Sequence, residues 1–470
     1  MTCSNLDQLS RRRFLVNLAA GALAAPFASR FAAAQPASDA RRPNILVILA
    51  DDLGYGDISL QGCKDVATPN IDAIARTGVH FTNGYVSGPV CSPTRAALMS
   101  GQYQQRHNDE ELVNKPNNRD GLSLKATPLP QRLREAGYET SMIGKWHLGD
   151  QPFNHPMERG FDEFYGLLTG GRSYSPMSDA EKKKMLENPM KGDPRLWDGR
   201  KEIADPPYLS DAFTDRAVEI LKRRRDKPLF MYLCYTAIHS PVQPAPDIYE
   251  KMTDIEDKKR RELASLINSL DNNVGRVMDF LKQSGQDKNT LVFFLSDNGG
   301  GGTRGVAPNG SLNTPLRGFK GETWEGGIRV PFFAQWPGKF PAGTVYDKPV
   351  IQMDITATAL ALAGLEPKPD WRLDGVNLMP YLTGGKKDAR PHDVLYWRFY
   401  SNMAVRKGDW KLVKSNEGRG AKPVGPFLYD LSKDIEEKND LSLQHPEQAR
   451  ELQALWDAWD KEVTLQGKKQ

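Results

Sequence analysis

A cysteine stands close to a proline and an arginine in the segment PVCSPTRAALMSGQY, residues 89–103. Ser92 and Pro93 are typical of the N-cap and the first position of a helix, so we expect Cys91 to lie just before a helix N-terminus. Free backbone N–H groups favour an anion there, and Arg95 adds a planar cation. The segment therefore predicts an anion site around Cys91. The cysteine is either a thiolate nucleophile or a residue that only packs beside the helix.

Further polar side chains follow several apolar runs of the sequence, and they are Asp51, Asp52, Lys145, His147, His239, Asp297 and Asn298. Each alone is more often a turn residue, a cap or a hydrogen-bonded structural group. In open α/β sheets, however, ligands bind outside the carboxyl ends of the strands. If the runs are strands of one sheet, these groups converge on one edge, and their joint placement indicates a functional site.

The elements that position these residues are short runs rich in Ile, Val, Leu and Phe: NILVILA (44–50), LFMYLCY (229–235) and TLVFFLS (290–296). Continuous apolar runs are typical of strands buried on both faces of a parallel sheet. A further short strand is expected at 140–143. Helical patterns at 68–78, 210–225 and 255–283 separate the runs. The alternation predicts an α/β fold, with a large, mostly parallel or mixed sheet between layers of helices.

The sequence changes character after residue 386. The segments DVLYWRFY, MAVRKGDWKLVK and FLYDLSKD predict short strands joined by turns, and HPEQARELQALWDAWDKEV predicts a C-terminal helix. We therefore expect a catalytic domain at 43–386 and a small antiparallel sheet with a helix at 387–470. A polar, proline-containing segment at 169–207 is either a loop over the active-site face that selects the substrate or a plain surface insertion.

Composition and charge exclude several classes of protein. The chain has 470 residues and a formal net charge of +4. Residues 1–34 contain four arginines and one aspartate, so they carry +3, and the rest is near +1, which argues against a nucleic-acid binder. Cys3 lies in that same segment. The remaining cysteines, Cys63, Cys91 and Cys234, are an odd number and form no disulfide scaffold. Cys63 is expected in a loop and Cys234 in the core.

The N-terminal segment SRRRFLVNLAAGALAAPFASRFAAAQ has the order of a secretory signal: arginines, an apolar run at 14–27 and small residues at 32–34. The apolar run is too short to span a bilayer, and no cysteine follows it for a lipid anchor. The twin arginine resembles a Tat signal, which exports folded proteins. We expect a bacterial periplasmic or secreted protein cleaved near Ala34; the alternative is a basic helix of the mature protein.

Five ordered motifs carry a resemblance to a known family. CSPTR at 91–95 matches the C-x-P-x-R signature of type I sulfatases, and GKWHLG at 144–149 resembles their second signature. PNILVILADDLGYGD and SDNGG resemble the two metal-binding segments, and RGFKGETWEGGIRVP resembles the segment with the last active-site lysine, Lys320. The chain thus resembles the formylglycine-dependent sulfatases of the alkaline phosphatase superfamily over most of its length after the signal.

This resemblance implies the cofactors of the site. A separate maturation enzyme would oxidise Cys91 to Cα-formylglycine, whose hydrate supplies the attacking hydroxyl. The metal ligands would be Asp51, Asp52, residue 91, Asp297 and Asn298. Hard oxygen ligands favour Ca²⁺ over Mg²⁺, and either over zinc.

The resemblance also implies a division of labour among the side chains. Asp297 would take the proton of the attacking hydroxyl, and Arg95 would steady the diol. Lys145 and Lys320 would contact the sulfate. His239 would protonate the leaving alcohol. His147 would deprotonate the second hydroxyl, so that the covalent sulfate leaves and the aldehyde returns.

We therefore expect an exported sulfatase that acts on a sulfated carbohydrate. The segments YQQR at 103–106 and FNHPMERGFDEFYG from residue 153 are similar to those of sulfatases acting on galactose or N-acetylgalactosamine sulfates. One alternative is a phosphate or phosphonate ester hydrolase of the same superfamily. Another is a sugar-binding protein in which Cys91 is never converted.

Overall fold

The computed structural model describes residues 42–110, 113, 121–188, 192–302, 309–418 and 420–468. The predicted export signal, residues 1–34, lies outside these ranges. Within them, helices long and apolar enough to cross a membrane are absent. The cysteines at 63, 91 and 234 are all buried free thiols.

The strands in this part of the chain are β1 (Asn44–Ala50), β2 (Val79–Phe81), β3 (Gly84–Tyr85), β4 (Glu139–Lys145), β5 (Glu163–Leu167), β6 (Leu196–Asp198), β7 (Lys201–Ile203), β8 (Leu229–Cys234), β9 (Thr290–Ser296), β10 (Phe332–Gln335), β11 (Thr344–Tyr346), β12 (Val350–Ile351), β13 (Val394–Phe399), β14 (Asn402–Lys407), β15 (Trp410–Ser415) and β16 (Val424–Asp430). The helices are α1 (Pro69–Arg76), α2 (Cys91–Ser100), α3 (Leu129–Glu135), α4 (Asp179–Leu186), α5 (Leu209–Lys222), α6 (Pro246–Tyr249), α7 (Lys258–Gln283), α8 (Glu325–Ile328), α9 (Met353–Leu362), α10 (Met379–Leu382) and α11 (Pro446–Lys468).

Ten strands form the large sheet, in the order β11-β2-β10-β9-β1-β8-β4-β5-β6-β7. Its centre, from β9 to β5, is parallel. Antiparallel pairing begins at β10 on one side and at β6 on the other, so the sheet is mixed. The parallel centre places the carboxyl ends of β9, β1, β8 and β4 side by side, which is the arrangement that the functional residues need.

Both faces of this sheet are covered by helices. Side chains of β1 alternate: Ile45, Val47 and Leu49 pack with residues of α2, α3 and α9 on one face. Leu46 and Ile48 pack with residues of α1, α5 and α7 on the other. This burial on two faces explains why the central strands read as continuous apolar runs. The predicted α/β fold class is confirmed.

The small sheet follows residue 393 and contains β13 to β16 in sequential antiparallel order. The C-terminal helix α11 covers it, with Leu452 and Trp456 packed against the sheet. This confirms the predicted small sheet with its helix. Residues 41–470 nevertheless form one compact unit, and the domain boundary at 386 stays a prediction.

Two helix starts differ from the sequence-based expectation. Helix α2 begins at Cys91, with Val90 at the N-cap position, so the prediction of Ser92 as the N-cap is wrong. The Ser92 hydroxyl instead accepts a hydrogen bond from the Val113 backbone N–H, 3.2 Å away. Helix α7 begins at Lys258 rather than near residue 255, because the Asp257 side chain caps it.

The segment 169–207 is partly built into the fold. Its strands β6 and β7 extend the large sheet beyond β5. Arg172 is buried and forms an ion pair with Asp205, 2.7 Å away, which ties the two ends of the segment together. The segment is therefore more than a plain surface insertion, and a role in substrate selection stays a prediction.

One buried ion pair joins the start of α9 to the segment ahead of β13. His392 Nε2 lies 2.7 Å from Asp354 Oδ1. Burial lowers the pKa of His392, but the carboxylate of Asp354 outweighs this and raises it above the usual 6.5. A raised histidine pKa stabilises the fold below the unfolded pKa, and this stabilisation is lost as pH rises through the folded pKa.

We therefore predict that His392→Gln lowers the free energy of unfolding most at low pH. The expected loss is about 1 to 3 kcal/mol at acidic pH, the range for a hydrogen bond to a charged group. It should shrink as the pH rises well above 6.5. Urea unfolding of both proteins across that range measures the difference. A loss of unfolding free energy that does not change with pH would contradict this prediction. It would show that the neutral imidazole of His392 stabilises the fold as well as the charged one does.

Candidate active site

The carboxyl ends of four adjacent parallel strands bring the predicted residues together. Asp51 follows β1, Lys145 ends β4, and Asp297 follows β9. His239 comes five residues after the end of β8. Because these strands are neighbours in the sheet, the side chains meet at one edge, as the sequence predicts.

Cys91 lies at the centre of this edge, in the first turn of α2. Its Sγ is 3.3 Å from Asp51 Oδ1 and 3.3 Å from Lys320 Nζ, and 3.9 Å from Asp52 Oδ1. The side chain is buried, and burial together with the charge of Asp297 raises the pKa of the Cys91 thiol far above its usual value. A protonated thiol is a poor nucleophile, which argues against the thiolate alternative.

Each of three buried carboxylates is paired with a cation from a different element. Lys145 Nζ lies 2.6 Å from Asp51 Oδ2, and Lys320 Nζ lies 2.6 Å from Asp52 Oδ1. Arg95 donates from Nε and Nη2 to Asp297 Oδ2, at 3.0 and 2.7 Å. Formal charges of three acids and three bases therefore cancel within the cluster.

The carboxylates nevertheless differ in acidity. Burial raises the pKa of Asp51 to about 7, and Lys145 only partly offsets this because Asp297 and Asp52 add negative charge. Burial also favours the neutral form of Asp52, but Lys320 and His239 outweigh it and hold its pKa below the usual range. Arg95 and Lys145 do the same for Asp297. Asp51 is therefore the carboxyl of the three whose pKa is raised, mainly by burial and in addition by its two acidic neighbours.

The oxygen atoms here fit a hard divalent cation. Asn298 Nδ2 donates to Asp52 Oδ1, 2.8 Å away, whereas Asn298 Oδ1 is buried and has no hydrogen-bond partner. Ligand atoms of Asp51, Asp52, Cys91 and His239 all lie within 4.8 Å of one another. An unpartnered amide oxygen beside clustered carboxylates is the donor set that Ca²⁺ or Mg²⁺ prefers.

Asp297 has less freedom to bind a metal ion than the other predicted ligands. Its Oδ2 accepts the two hydrogen bonds from Arg95, and its Oδ1 accepts one from the Asp52 backbone N–H at 3.2 Å. His239 lies close to the same cluster, and its assignment to acid catalysis stays a prediction.

The surroundings of both predicted catalytic histidines favour the neutral imidazole. His147 Nε2 lies 3.2 Å from the Val113 carbonyl oxygen, and its Nδ1 is buried without a partner. Burial, with Lys145 and Arg95, lowers the pKa of His147 well below 6.5. When Nε2 donates to Val113, Nδ1 carries a free lone pair, which suits a base.

His239 lies at the open side of the cluster, with about a quarter (26%) of its side chain exposed. Its Nδ1 is 2.6 Å from the Ser240 carbonyl oxygen, so Nδ1 holds a proton and Nε2 faces Asp52 Oδ2 at 3.9 Å. Burial, Lys320 and Lys145 lower the pKa of His239 to about 3.

Tyr174 is a supporting residue that the sequence analysis missed. Its buried hydroxyl lies 2.7 Å from the Thr236 carbonyl oxygen and 2.8 Å from that of His239, and donates to this pair. A Cβ on Gly171 would lie 3.1 Å from His239 Nδ1. The start of the segment 169–207 therefore packs against His239. The local sequence gives no signal for this contact, because Tyr174 and His239 are 65 positions apart.

The small sheet supports Lys320 from the other side. Lys411 of β15 lies 2.8 Å from Glu325 Oε1 and 2.8 Å from Glu437 Oε1, and all three side chains are fully buried. Glu325 begins α8, five residues after Lys320. A buried ion network thus fixes the segment that carries Lys320 to the C-terminal sheet.

Two family models and several curated relatives match most of this chain. The family model described as "Sulfatase" matches residues 43–365, and that described as "N-sulphoglucosamine sulphohydrolase, C-terminal" matches 320–462. N-acetylgalactosamine-6-sulfatase of Canis lupus familiaris is 34% identical over 394 residues, covering 78% of this chain and 71% of that protein. Arylsulfatase J of Mus musculus is 31% identical, covering 86% of this chain and 73% of that protein.

Solved structures show the same similarity. The crystal structure of Ps i-CgsB in complex with k-i-k-neocarrahexaose superposes with a TM-score of 0.82 at 34% identity, covering 91% of this chain and 94% of that one. The PsFucS1 sulfatase from Pseudoalteromonas sp. superposes with a TM-score of 0.78 at 27% identity, with 91% of each chain covered.

The metal ligands can be tested without an assay of activity. Asp52 has a φ of 64°, a left-handed conformation that asparagine tolerates. Asp52→Asn should therefore keep the fold while it removes a carboxylate from the cluster. We expect purified protein to hold about one Ca²⁺ or Mg²⁺ per chain and the variant to bind it at least ~10-fold more weakly.

Elemental analysis and calorimetric titration with Ca²⁺ measure this difference. Asp370→Asn, at an exposed position far along the chain from the cluster, is the matched control and should bind normally. Stoichiometric zinc without calcium or magnesium, or unchanged binding by Asp52→Asn, would contradict the ligand assignment.

Proposed function

The chain belongs to the sulfatase family, and we propose that it removes sulfate from a sulfated carbohydrate through a formylglycine formed at Cys91, with bound Ca²⁺. The observation that carries the proposal is the position of the Cys91 side chain. It lies in the first turn of α2, within 3.3 Å of both a carboxylate oxygen of Asp51 and the ammonium group of Lys320. A nucleophile formed at residue 91 would therefore contact both the proposed metal site, at Asp51, and a cation that could bind sulfate, Lys320.

The names of similar proteins support a carbohydrate substrate. One group of relatives is named for N-acetylgalactosamine 6-sulfate, and Ps i-CgsB was crystallised with a neocarrahexaose. We infer for this chain a sulfated saccharide, with galactose or N-acetylgalactosamine sulfates as the first candidates to test.

Conversion of Cys91 would change the chemistry of this position. The hydrate of an aldehyde supplies a hydroxyl nucleophile and a second hydroxyl through which the sulfate can leave. The thiol is only 1% exposed, so a maturation enzyme would have to act before this segment folds. That order fits the Tat signal predicted from the sequence, because such export carries folded proteins. We accordingly propose a bacterial periplasmic or secreted location.

The cations of the site would hold the sulfate group. Lys320 Nζ lies 3.3 Å from Cys91 Sγ, and Lys145 Nζ lies 2.6 Å from Asp51, which itself contacts Cys91. Two ammonium groups from different elements would therefore face the sulfonyl oxygens. Arg95 donates to Asp297 and to the Lys145 carbonyl oxygen, which fixes the acid that would accept the nucleophile's proton. A bound Ca²⁺ would supply positive charge that polarises the sulfate and favours ionisation of the attacking hydroxyl.

The two histidines suit opposite proton transfers. His239 is partly exposed, on the side from which the alcohol would leave. Burial and then the charges of Lys320 and Lys145 lower the pKa of His239. A sulfate anion between the two lysines would offset the charge contribution and so raise the pKa towards the protonated, donating form. His147 is buried, and its Nδ1 keeps a lone pair when Nε2 donates to the Val113 carbonyl oxygen, so we assign His147 to deprotonation of the second hydroxyl.

The modification has a direct test. Peptide mass spectrometry of active protein should show the Cys91 thiol replaced by an aldehyde or its hydrate. Cys63 and Cys234, the other two buried thiols, lack the C-x-P-x-R context and should remain unmodified in the same sample. Fully active protein with only unmodified cysteine at position 91 would overturn the proposed mechanism.

The proton donor is tested by comparing leaving groups. A sugar alkoxide is strongly basic and needs a proton to depart, whereas nitrophenolate leaves unaided. His239→Ala should lower kcat/KM for sugar sulfates by ~10² to 10⁴ and for nitrophenyl sulfate much less. Equal losses on both substrates would remove His239 from the acid role.

His147→Ala should behave differently, because His147 acts after the alcohol has left. We expect sulfated enzyme to accumulate with either substrate, and intact mass spectra recorded during turnover would detect it. If no sulfated enzyme accumulates while turnover is slowed, the role in sulfate release is wrong.

A further inference from the structure

A short segment, residues 311–314, lies against the loop that carries the predicted metal ligands after β1. The Leu312 carbonyl oxygen accepts a hydrogen bond from the backbone N–H of Gly56, 2.8 Å away. The Leu312 N–H in turn donates to the carboxylate of Asp57 at 3.0 Å, and Asp57 is fully buried. Residues 311–314 are therefore fixed to the chain a few positions after Asp52.

Asn313 reaches two further loops of the site with its side chain, and this residue is only 3% exposed. Its Oδ1 accepts a hydrogen bond from the Gly300 N–H at 2.8 Å. Its Nδ2 donates to the carbonyl oxygens of Gly300 and Gly318, at 3.2 and 3.1 Å. Both N–H groups and the oxygen of the amide are thus engaged. Gly300 lies two residues after Asn298, and Gly318 lies two residues before Lys320.

These two loops also bind each other. The backbone N–H of Lys320 donates at 3.0 Å to the Gly300 carbonyl oxygen, which is the same oxygen that Asn313 contacts. A Cβ on Gly300 would lie 2.8 Å from the Ser311 Cβ and 3.1 Å from the Gly54 Cα. The three stretches of chain are therefore in close contact at Gly300, and a shift of one of them displaces the others.

We propose that Asn313 is a positioning residue, which sets the spacing between the metal ligand Asn298 and the sulfate-binding Lys320. The role rests on the proposed function, because the metal ion and the sulfate are the groups that require this spacing. Asn298 has an unpartnered Oδ1 for the ion, and Lys320 Nζ lies 2.6 Å from Asp52 Oδ1. Asn313 acts through the backbone from which the side chains of Asn298 and Lys320 extend.

Asn313→Ala tests this role without changing any formal charge. The variant removes the three hydrogen bonds of the amide, so the loops before Lys320 and after Asn298 lose their common partner. In calorimetric titration with Ca²⁺, we expect binding ~10- to 100-fold weaker than in the wild-type chain, the usual effect of losing a contact that orients a metal ligand. At saturating Ca²⁺, kcat/KM for nitrophenyl sulfate should still be lower by ~10-fold or more, because Lys320 is displaced as well.

Asn273→Ala is the matched control. Asn273 is 2% exposed, and its Nδ2 donates to Asp211 Oδ1 and to the Ser269 carbonyl oxygen, each at 2.9 Å. The bond to Asp211 joins α7 to α5, so the control also loses buried hydrogen bonds. Both variants should melt at a lower temperature than the wild-type chain, but Ca²⁺ binding by the control should stay within about twofold of the wild-type value.

Four results would each overturn the positioning role: equal weakening of Ca²⁺ binding in both variants, unchanged binding by Asn313→Ala, full recovery of its kcat/KM at saturating Ca²⁺, or a wild-type chain that binds neither Ca²⁺ nor Mg²⁺. Asn313→Ser keeps one hydroxyl for these backbone groups. It replaces the alanine variant if that variant does not fold, and its losses should be smaller but in the same direction.

The titration needs no turnover, so it separates this role from the proposed function. If the wild-type chain hydrolyses no sulfate ester while Asn313→Ala binds Ca²⁺ more weakly than Asn273→Ala, the proposed function fails and the positioning of Asn298 stands. If the wild-type chain hydrolyses sulfate esters while the two variants bind Ca²⁺ equally, the proposed function stands and the positioning role is overturned.

Discussion

Three carboxylates buried together at the ends of neighbouring strands require a cation beside each of them. Asp51 and Asp297 follow β1 and β9, which are adjacent in the sheet, and Asp52 joins them. Burying like charges together is costly unless cations are supplied at contact distance. The fold supplies them from three separate elements, namely Arg95 of α2, Lys145 of β4 and Lys320 of the segment before α8. The same charge balance leaves donors for an anion and oxygen atoms for a metal ion.

The small C-terminal sheet is connected to this cluster by a second group of buried charges. Lys411 of β15 is held between Glu325 and Glu437 with no exposure to water. Removing one partner of such a network leaves an uncompensated buried charge, so the three groups fix one geometry. The segment with Lys320 is thereby attached to the small sheet through buried charge.

The sequence predicted the elements whose signal is local. Strands β1 and β9 have the predicted bounds. A continuous apolar run and the polar residues at its end can be recognised from a few consecutive residues. Convergence of the predicted residues followed from the parallel order of the strands. The predicted start of α2 is wrong. Serine commonly caps helices, but the Ser92 hydroxyl accepts a hydrogen bond from the Val113 backbone N–H instead. The sequence gives no signal for Tyr174, since its role arises from contacts distant in sequence.

We propose that this buried cluster transfers a sulfuryl group rather than a phosphoryl group. The release of sulfate and of phosphate from two esters of the same alcohol, measured on one preparation with a known aldehyde content at residue 91, distinguishes the two reactions. We expect a higher kcat/KM for the sulfate ester than for the phosphate ester. Faster turnover of the phosphate ester, or no sulfate release from protein that carries the aldehyde, would contradict it.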